Sequence, residues 1–414
     1  MSQRVRIEPR PYRLENRIQH YAWGTKGDEA YIPRLLGIEP EPGLPYAELW
    51  MGAHPNAPSR VCTDGGSVSL RQLIEQYPAE VLGPEVSEAF AGTLPFLFKI
   101  LSAAEALSIQ AHPNMEQAAA LHVRDPEHYP DPNHKPELAI ALNALTALMG
   151  FRPYGGILAA LGRYPELACF LGEDTCARLH EGKGDPPDVQ RRLVHEMFGV
   201  LVARSSAYDQ ELDTQLDALA RRLGSATSQL REEEELFLEL RGRYEGPDVG
   251  LFAVLLLNVL HLEEGQGVYI GPGIPHAYLR GNIVECMANS DNVVRVGLTL
   301  KYRDAETLIE ILNDQLGPVP VLQGPAALRD VVYRTPACEF QVSRWRLAPG
   351  HEQRAALHER PEILLVLSGE VCVSWARGEE TFRQGQSMLL PACLQGATVK
   401  AIRTTTVFRA EVPR

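Results

Sequence analysis

The stretch "EILLVLSGEVCVSW" (362–375), followed by "TFRQGQSMLLPA" (381–392), decides how the chain is to be folded. An apolar strand, a Ser-Gly-Glu turn, a second strand and a run ending in Leu-Leu-Pro describe short antiparallel strands joined tightly. This is the pattern of a small antiparallel jelly roll. Two further strand-like segments flank it, "EFQVSRWRL" (339–347) and "TTTVFRAEV" (404–412). Residues 321–414 are therefore expected to form a compact all-β unit, a C-terminal β-barrel.

Upstream, "GVYIGPG" (267–273), "NIVECMA" (282–288) and "NVVRVGLTL" (292–300) keep a strand character, and residues 303–314 fit one more helix. Residues 151–250 differ. "GILAALGRYPELACFL" (156–171), "DVQRRLVHEMFGVLVAR" (188–204) and the segment 213–244 place apolar residues at helical spacing. The glutamates of "REEEEL" (231–236) read as a solvated helix face, and "LFAVLLLNVLHL" (251–262) as a core helix. Residues 1–150, with "PYRLENRIQHYAWG" (11–24), "AELWMGAHPNAPSRV" (47–61) and "LPFLFKIL" (94–101), read as short strands and turns. The expectation is a mainly β chain with a helical insertion. One β domain (1–150 and 251–320) is interrupted by a helical domain (151–250) and followed by the C-terminal unit (321–414).

Composition narrows the function classes. The chain has 414 residues and 45% hydrophobic content, enough for a large core. A net charge of −13 argues against nucleic acid as a partner but not against an anionic small molecule, which a local Lys/Arg cluster can hold. The seven cysteines are scattered, odd in number and without C-x-x-C spacing, which fits reduced thiols rather than a disulfide framework. The N-terminal segment carries no apolar signal, and 251–262 is too short to span a bilayer. A cytoplasmic, membrane-free and monomeric chain is expected.

Three segments carry polar residues beside apolar runs. In "LSIQAHPN" (107–114), Gln110 and His112 share a face of an extended chain. In "DPNHKPELAIAL" (131–142), Pro136 holds Lys135 extended, so Lys135 and Glu137 share a face and His134 takes the other. In "GPGIPHAYLRGN" (271–282), His276 follows a Pro- and Gly-rich turn. Two imidazoles, a carboxylate and a neutral oxygen suit Zn²⁺ with an open position, other divalent metals being possible. Taken singly, each is also an ordinary strand-end or structural residue. In 282–288, Ile283, Glu285 and Met287 share a face, and in 292–298 so do Val293, Arg295 and Gly297. Glu285 and Arg295 form either a structural ion pair or a pair lining the pocket. Lys99 lies inside an apolar run, as an edge-strand lysine or, with Lys301 and Ser108, as a phosphate contact. His351 and His358 read as surface residues, and the C-terminal unit as metal-free.

The motifs "IQHYAWG" (18–24), "AELWMGAHP" (47–55), "LPFLFKILSAAEALSIQAHPN" (94–114), "DPNHKPELAIAL" (131–142) and "GPGIPHAYLRGNIVECMANSDNVVRVGLTLKYRD" (271–304) resemble, in order, those of the type I phosphomannose isomerases. The resemblance implies a cupin/jelly-roll catalytic core and one Zn²⁺ per chain. It implies reversible conversion of D-mannose 6-phosphate to D-fructose 6-phosphate through a metal-stabilised cis-enediol. Carried over by motif, the metal ligands are Gln110, His112, Glu137 and His276. The catalytic residues are Arg295, Lys135 and Glu285, with His134 as a further candidate for moving the proton. The substrate-binding residues are Lys99, Ser108 and Lys301, with Glu48 and Trp23 near the pocket. Leu300 departs from the family, which often has Pro there. The alternatives are a non-catalytic sugar-phosphate-binding cupin and another cupin sugar-phosphate isomerase or epimerase.

Overall fold

A computed structural model describes residues 7–244, 246–325 and 327–414, so the first six residues of the N-terminal segment lie outside it. Helix and strand take comparable shares, and the chain is mixed α and β rather than mainly β. Part of the difference lies in residues 1–150, which hold helices such as Leu70–Gln76, Pro78–Leu82, Pro84–Ala89 and Met115–Arg124. Two of these begin on a proline. Read along the sequence, such a proline marks a turn, but at the first helical position its fixed φ and missing N–H favour the helix.

The strand His276–Ala288 belongs to two ladders. Its first half pairs with Ile109–Ala111 and Leu145–Phe151, and its second half with Phe96–Ala103 and Glu137–Ala141. The register slips between Tyr278 and Arg280, next to Gly281 with φ 132°. A Cβ at Gly281 would stand 2.7 Å from the Ala144 carbonyl oxygen, so only glycine turns this corner.

The helices from Tyr154–Arg163 through Glu232–Arg241 follow one another between Leu145–Phe151 and Leu257–Leu262, two strands that pair with each other. The chain leaves a ladder, builds a helical block and returns to the same ladder. Residues 251–262 accordingly form a short helix, Gly250–Ala253, and that returning strand, not a core helix. The Asn258 amide fixes the strand by donating to the carbonyls of Met149, Phe151 and Gly317. The "REEEEL" glutamates are not all solvated. Glu234 is fully buried and receives both a 2.6 and a 2.9 Å hydrogen bond from Arg163.

The other face of the eleven-stranded sheet (Leu49, Phe96, Phe98, Ile100, Leu138, Val284) packs against Ile363, Leu365, Leu389 and Phe408 of an eight-stranded sheet. The eight-stranded sheet is not made from the C-terminal segment alone. Tyr12–Glu15 lies between Ser387–Leu390 and Arg60–Thr63. Its second face packs through Trp345, Leu364, Met388 and Val407 on a four-stranded sheet carrying Val371, Phe382 and Val399. Among the described residues no sheet closes on itself, so the expected C-terminal barrel is an open pair of packed sheets.

Inside that pair Glu362 is buried. One carboxylate oxygen accepts the Ala356 N–H at 2.9 Å and lies 3.6 Å from Arg409, and the other has no partner. Burial pushes this carboxyl up to about 7, with Arg409 opposing and Glu411 reinforcing. A carboxyl raised in the folded state adds stability that is full below its ordinary range, and that stability is lost as pH rises through the folded value. Glu362→Gln is therefore expected to flatten the decline of thermal midpoint between about pH 5 and 8, in a pH series of unfolding curves. An unchanged slope would exclude Glu362 as its source.

Candidate metal centre

Cross-strand register brings the site together. Gln110 lies directly opposite both His276 and Arg295 on its two neighbouring strands. Glu137 stands opposite Met287, and Glu285 opposite Lys99, which itself faces Trp50. Directly opposed residues share a face of the sheet. The slip at Gly281 then puts His276 and Tyr278 on the same side as Glu285, which an unbroken alternation would not do.

His112 Nε2 lies 3.5 Å from one oxygen of Glu137, and His276 Nε2 lies 3.3 Å from the other. All three residues are buried, and their ligand atoms lie within 4.8 Å of one another. His112 Nε2, His276 Nε2 and Glu137 Oε2 have no hydrogen-bond partner, an unusual state for buried polar atoms. Each imidazole is meanwhile oriented from behind, His112 Nδ1 on the Asn292 carbonyl and His276 Nδ1 on the Ile274 carbonyl, both at 2.9 Å. That arrangement puts the proton on Nδ1 and leaves Nε2 with a free lone pair. Burial pushes His112 down to about 4, so it stays neutral. Two imidazoles and a carboxylate with orphaned donor atoms fit a divalent cation of the zinc type. Gln110 is half-buried and stands opposite His276 in the strand register.

The charges around this trio sort into two groups. Lys135 Nζ is 3.3 Å from Glu137 and, against the cost of burial, helps hold that carboxyl well below its usual range. Lys99 is buried, 2.6 Å from Glu285 and 3.8 Å from Glu48. Glu285 also accepts the Tyr278 hydroxyl at 2.8 Å, and Glu48 accepts the Trp50 indole N–H. Burial raises the Glu285 carboxyl despite the ammonium beside it. Lys99 is thus committed to two carboxylates, and the partner of Glu285 is Lys99, not Arg295. Arg295 is half-buried with no carboxylate partner among the described residues, and burial lowers its pKa.

Ser108 is half-buried, and Trp23 stacks on Tyr21 at 5.7 Å. Lys301 is not brought to the cluster. It lies on an exposed loop beside fully exposed Leu300, and its side chain makes no hydrogen bond or ion pair among the described residues. His134 turns away and meets Glu339 of the C-terminal segment at 2.6 Å. Tyr278, Asn292 and Glu339 escaped the sequence-based selection. Tyr278 had a signal, two residues beyond His276 on the same strand face. Asn292 and Glu339 act through contacts more than 150 residues apart in sequence.

Comparison with known proteins agrees with this geometry. Residues 12–154 match the family model of the phosphomannose isomerase type I catalytic domain. The chain is 38% identical over 379 residues to mannose-6-phosphate isomerase of Mus musculus, covering 88% of each chain. It is 35% identical to that of Schizosaccharomyces pombe, covering 89% of this chain and 91% of the relative. Among solved structures, a zinc-bound holo mannose 6-phosphate isomerase superposes with a TM-score of 0.83 at 31% identity, covering 98% of this chain and all of that one.

The Asn292 side-chain amide donates to the Asp131 and Asn133 carbonyls at 2.7 and 2.9 Å, while the backbone carbonyl of Asn292 accepts from His112. Asn292→Ala is expected to weaken zinc binding by roughly 10- to 100-fold, measured by competition with a chromogenic chelator. Unchanged affinity would show that the clamp does not orient His112.

Proposed function

The chain belongs to the type I phosphomannose isomerases, and from that premise we propose that it interconverts D-mannose 6-phosphate and D-fructose 6-phosphate as a zinc-dependent aldose–ketose isomerase. The observation that carries this is the buried trio His112, Glu137 and His276, whose donor atoms lack partners while the Nδ1 atoms are held from behind. Those residues, with Gln110, would hold the zinc. When bound, zinc supplies Lewis-acid polarisation of the substrate carbonyl.

The chain's own residues supply the rest. Isomerisation moves a proton between C1 and C2 by way of a cis-enediol, so negative charge develops on the adjacent oxygens. Arg295, positive, partly desolvated and without a carboxylate partner among the described residues, is suited to meet that charge. Lys135, nearly buried beside Glu137, is the group we assign to holding and returning the proton. Glu285 has one oxygen on Tyr278 and the other on Lys99, so we give it a positioning role, fixing the Lys99 ammonium at the edge of the site. Lys99 and Ser108, with Lys301 on its exposed loop, are the proposed contacts for the phosphate, and Glu48 and Trp23 line the approach.

We further read the two sheets and the strands carrying the ligands as a cupin-type jelly roll. In this reading the catalytic unit is 1–150 with 251–320, the helical insertion 151–250 and the C-terminal unit 321–414. The strand Tyr12–Glu15 is lent across that last boundary. A cytoplasmic monomer is the assembly we propose. No helix among the described residues is long and apolar enough to cross a membrane.

A coupled assay of fructose 6-phosphate formation tests the reaction. Turnover is expected to vanish on chelation and to return with zinc, and inactive, folded, zinc-loaded protein would overturn the assignment. Arg295→Ala should lower kcat far more than it raises KM, whereas Lys301→Ala should chiefly raise KM. The opposite split would exchange their roles.

A further inference from the structure

A second cavity, of about 960 Å³, opens at one end of the C-terminal pair of sheets, and no residue of the metal centre lines it. Four guanidinium groups line it, those of Arg334, Arg360, Arg409 and Arg414, in a chain whose net charge is −13. Two side-chain carboxylates line it as well, but each is already held, Glu85 by Arg360 at 2.8 Å and Glu411 by Arg409. That leaves the guanidinium groups of Arg334 and Arg414 without a side-chain carboxylate among the described residues, and Arg414 instead reaches the ring of His358 at 3.0 Å. Two buried polar atoms of the lining, Thr335 Oγ1 and Arg409 Nε, have no partner. Guanidinium groups without a side-chain carboxylate, beside polar atoms left unsatisfied, mark a wall completed by an acceptor-rich anion.

We propose that this cavity is a second, non-catalytic site for a phosphate-bearing small molecule. Several planar guanidinium forks match phosphate oxygens better than a single ammonium does. The volume exceeds that of an inorganic phosphate, leaving room for an organic remainder. The site is also tied to the metal centre. The segment that gives Arg334, Thr335 and Cys338 to the cavity continues into Glu339, which holds His134 next to Lys135.

Cys338, exposed and on the wall, provides a local reporter. In the full-length protein its alkylation would be followed by peptide mass spectrometry, with exposed Cys169 as internal control and ionic strength held constant. With a dissociation constant of about 1 mM, ~5 mM pyrophosphate should slow Cys338 alkylation by roughly fivefold and leave Cys169 unaffected. Arg334→Gln combined with Arg414→Gln should abolish the protection without altering turnover. Arg295→Ala, at the metal centre, should leave it intact. Equal protection by sodium chloride at matched ionic strength, none in the wild type, or loss of protection in Arg295→Ala would each overturn the proposal. None of these results depends on whether the chain isomerises sugar phosphates.

Discussion

The strand His276–Ala288 must serve two ladders at once, and the site depends on how it does so. Its partners change near its middle, and the slip beside Gly281 reverses which side chains face the pocket. Without that reversal, His276 and Glu285 would lie on opposite sides of the sheet. With it, an imidazole, a hydroxyl donor and a buried carboxylate come from one continuous strand. Backbone hydrogen bonds fix their spacing more tightly than a loop would, and the short distances at Glu137 require that precision.

Charge placement follows from the same sheet. Buried carboxylates are tolerable only when partnered. Glu285 and Glu48 are satisfied by Lys99, Tyr278 and Trp50, and Glu137 in part by Lys135. Among the groups left without a partner in the described residues are two imidazole nitrogens and one oxygen of Glu137, and Arg295 has no carboxylate. A cation and an anionic reacting group would complete them.

Much of the site was legible in the sequence, because two-residue periodicity next to Pro and Gly marks which side chains share a face. Gln110 with His112, and Lys135 with Glu137, emerge that way. The trio His112, Glu137 and His276 was selected from three separate segments. What could not be read was register. The pairing of Lys99 with Glu285 requires knowing which strands are neighbours, and the join between Tyr278 and Glu285 requires the slip at Gly281. The helices beginning at Pro78 and Pro84 were hidden because proline signals a turn and a helix start equally well. The burial of Glu234 was hidden because its partner, Arg163, lies 71 residues earlier, beyond four intervening α-helices. The open form of the C-terminal sheets was hidden because three strands of one of them, Tyr12–Glu15, Arg60–Thr63 and Gly66–Ser69, come from the other end of the chain.

That last feature bears on how the protein is made. Tyr12 pairs with Leu389, so the strand Tyr12–Glu15 emerges from the ribosome long before its partner Ser387–Leu390 exists. Through nearly all of synthesis one edge of Tyr12–Glu15 is unpaired, and apolar Leu14 and Tyr12 await a core that is not yet built. Contacts this distant in sequence slow folding and leave a sticky edge exposed meanwhile. The completed sheet then acts as a clasp between the two ends of the chain. Folding should accordingly be slow, and once the sheet closes Tyr12–Glu15 and Ser387–Leu390 hold each other in place.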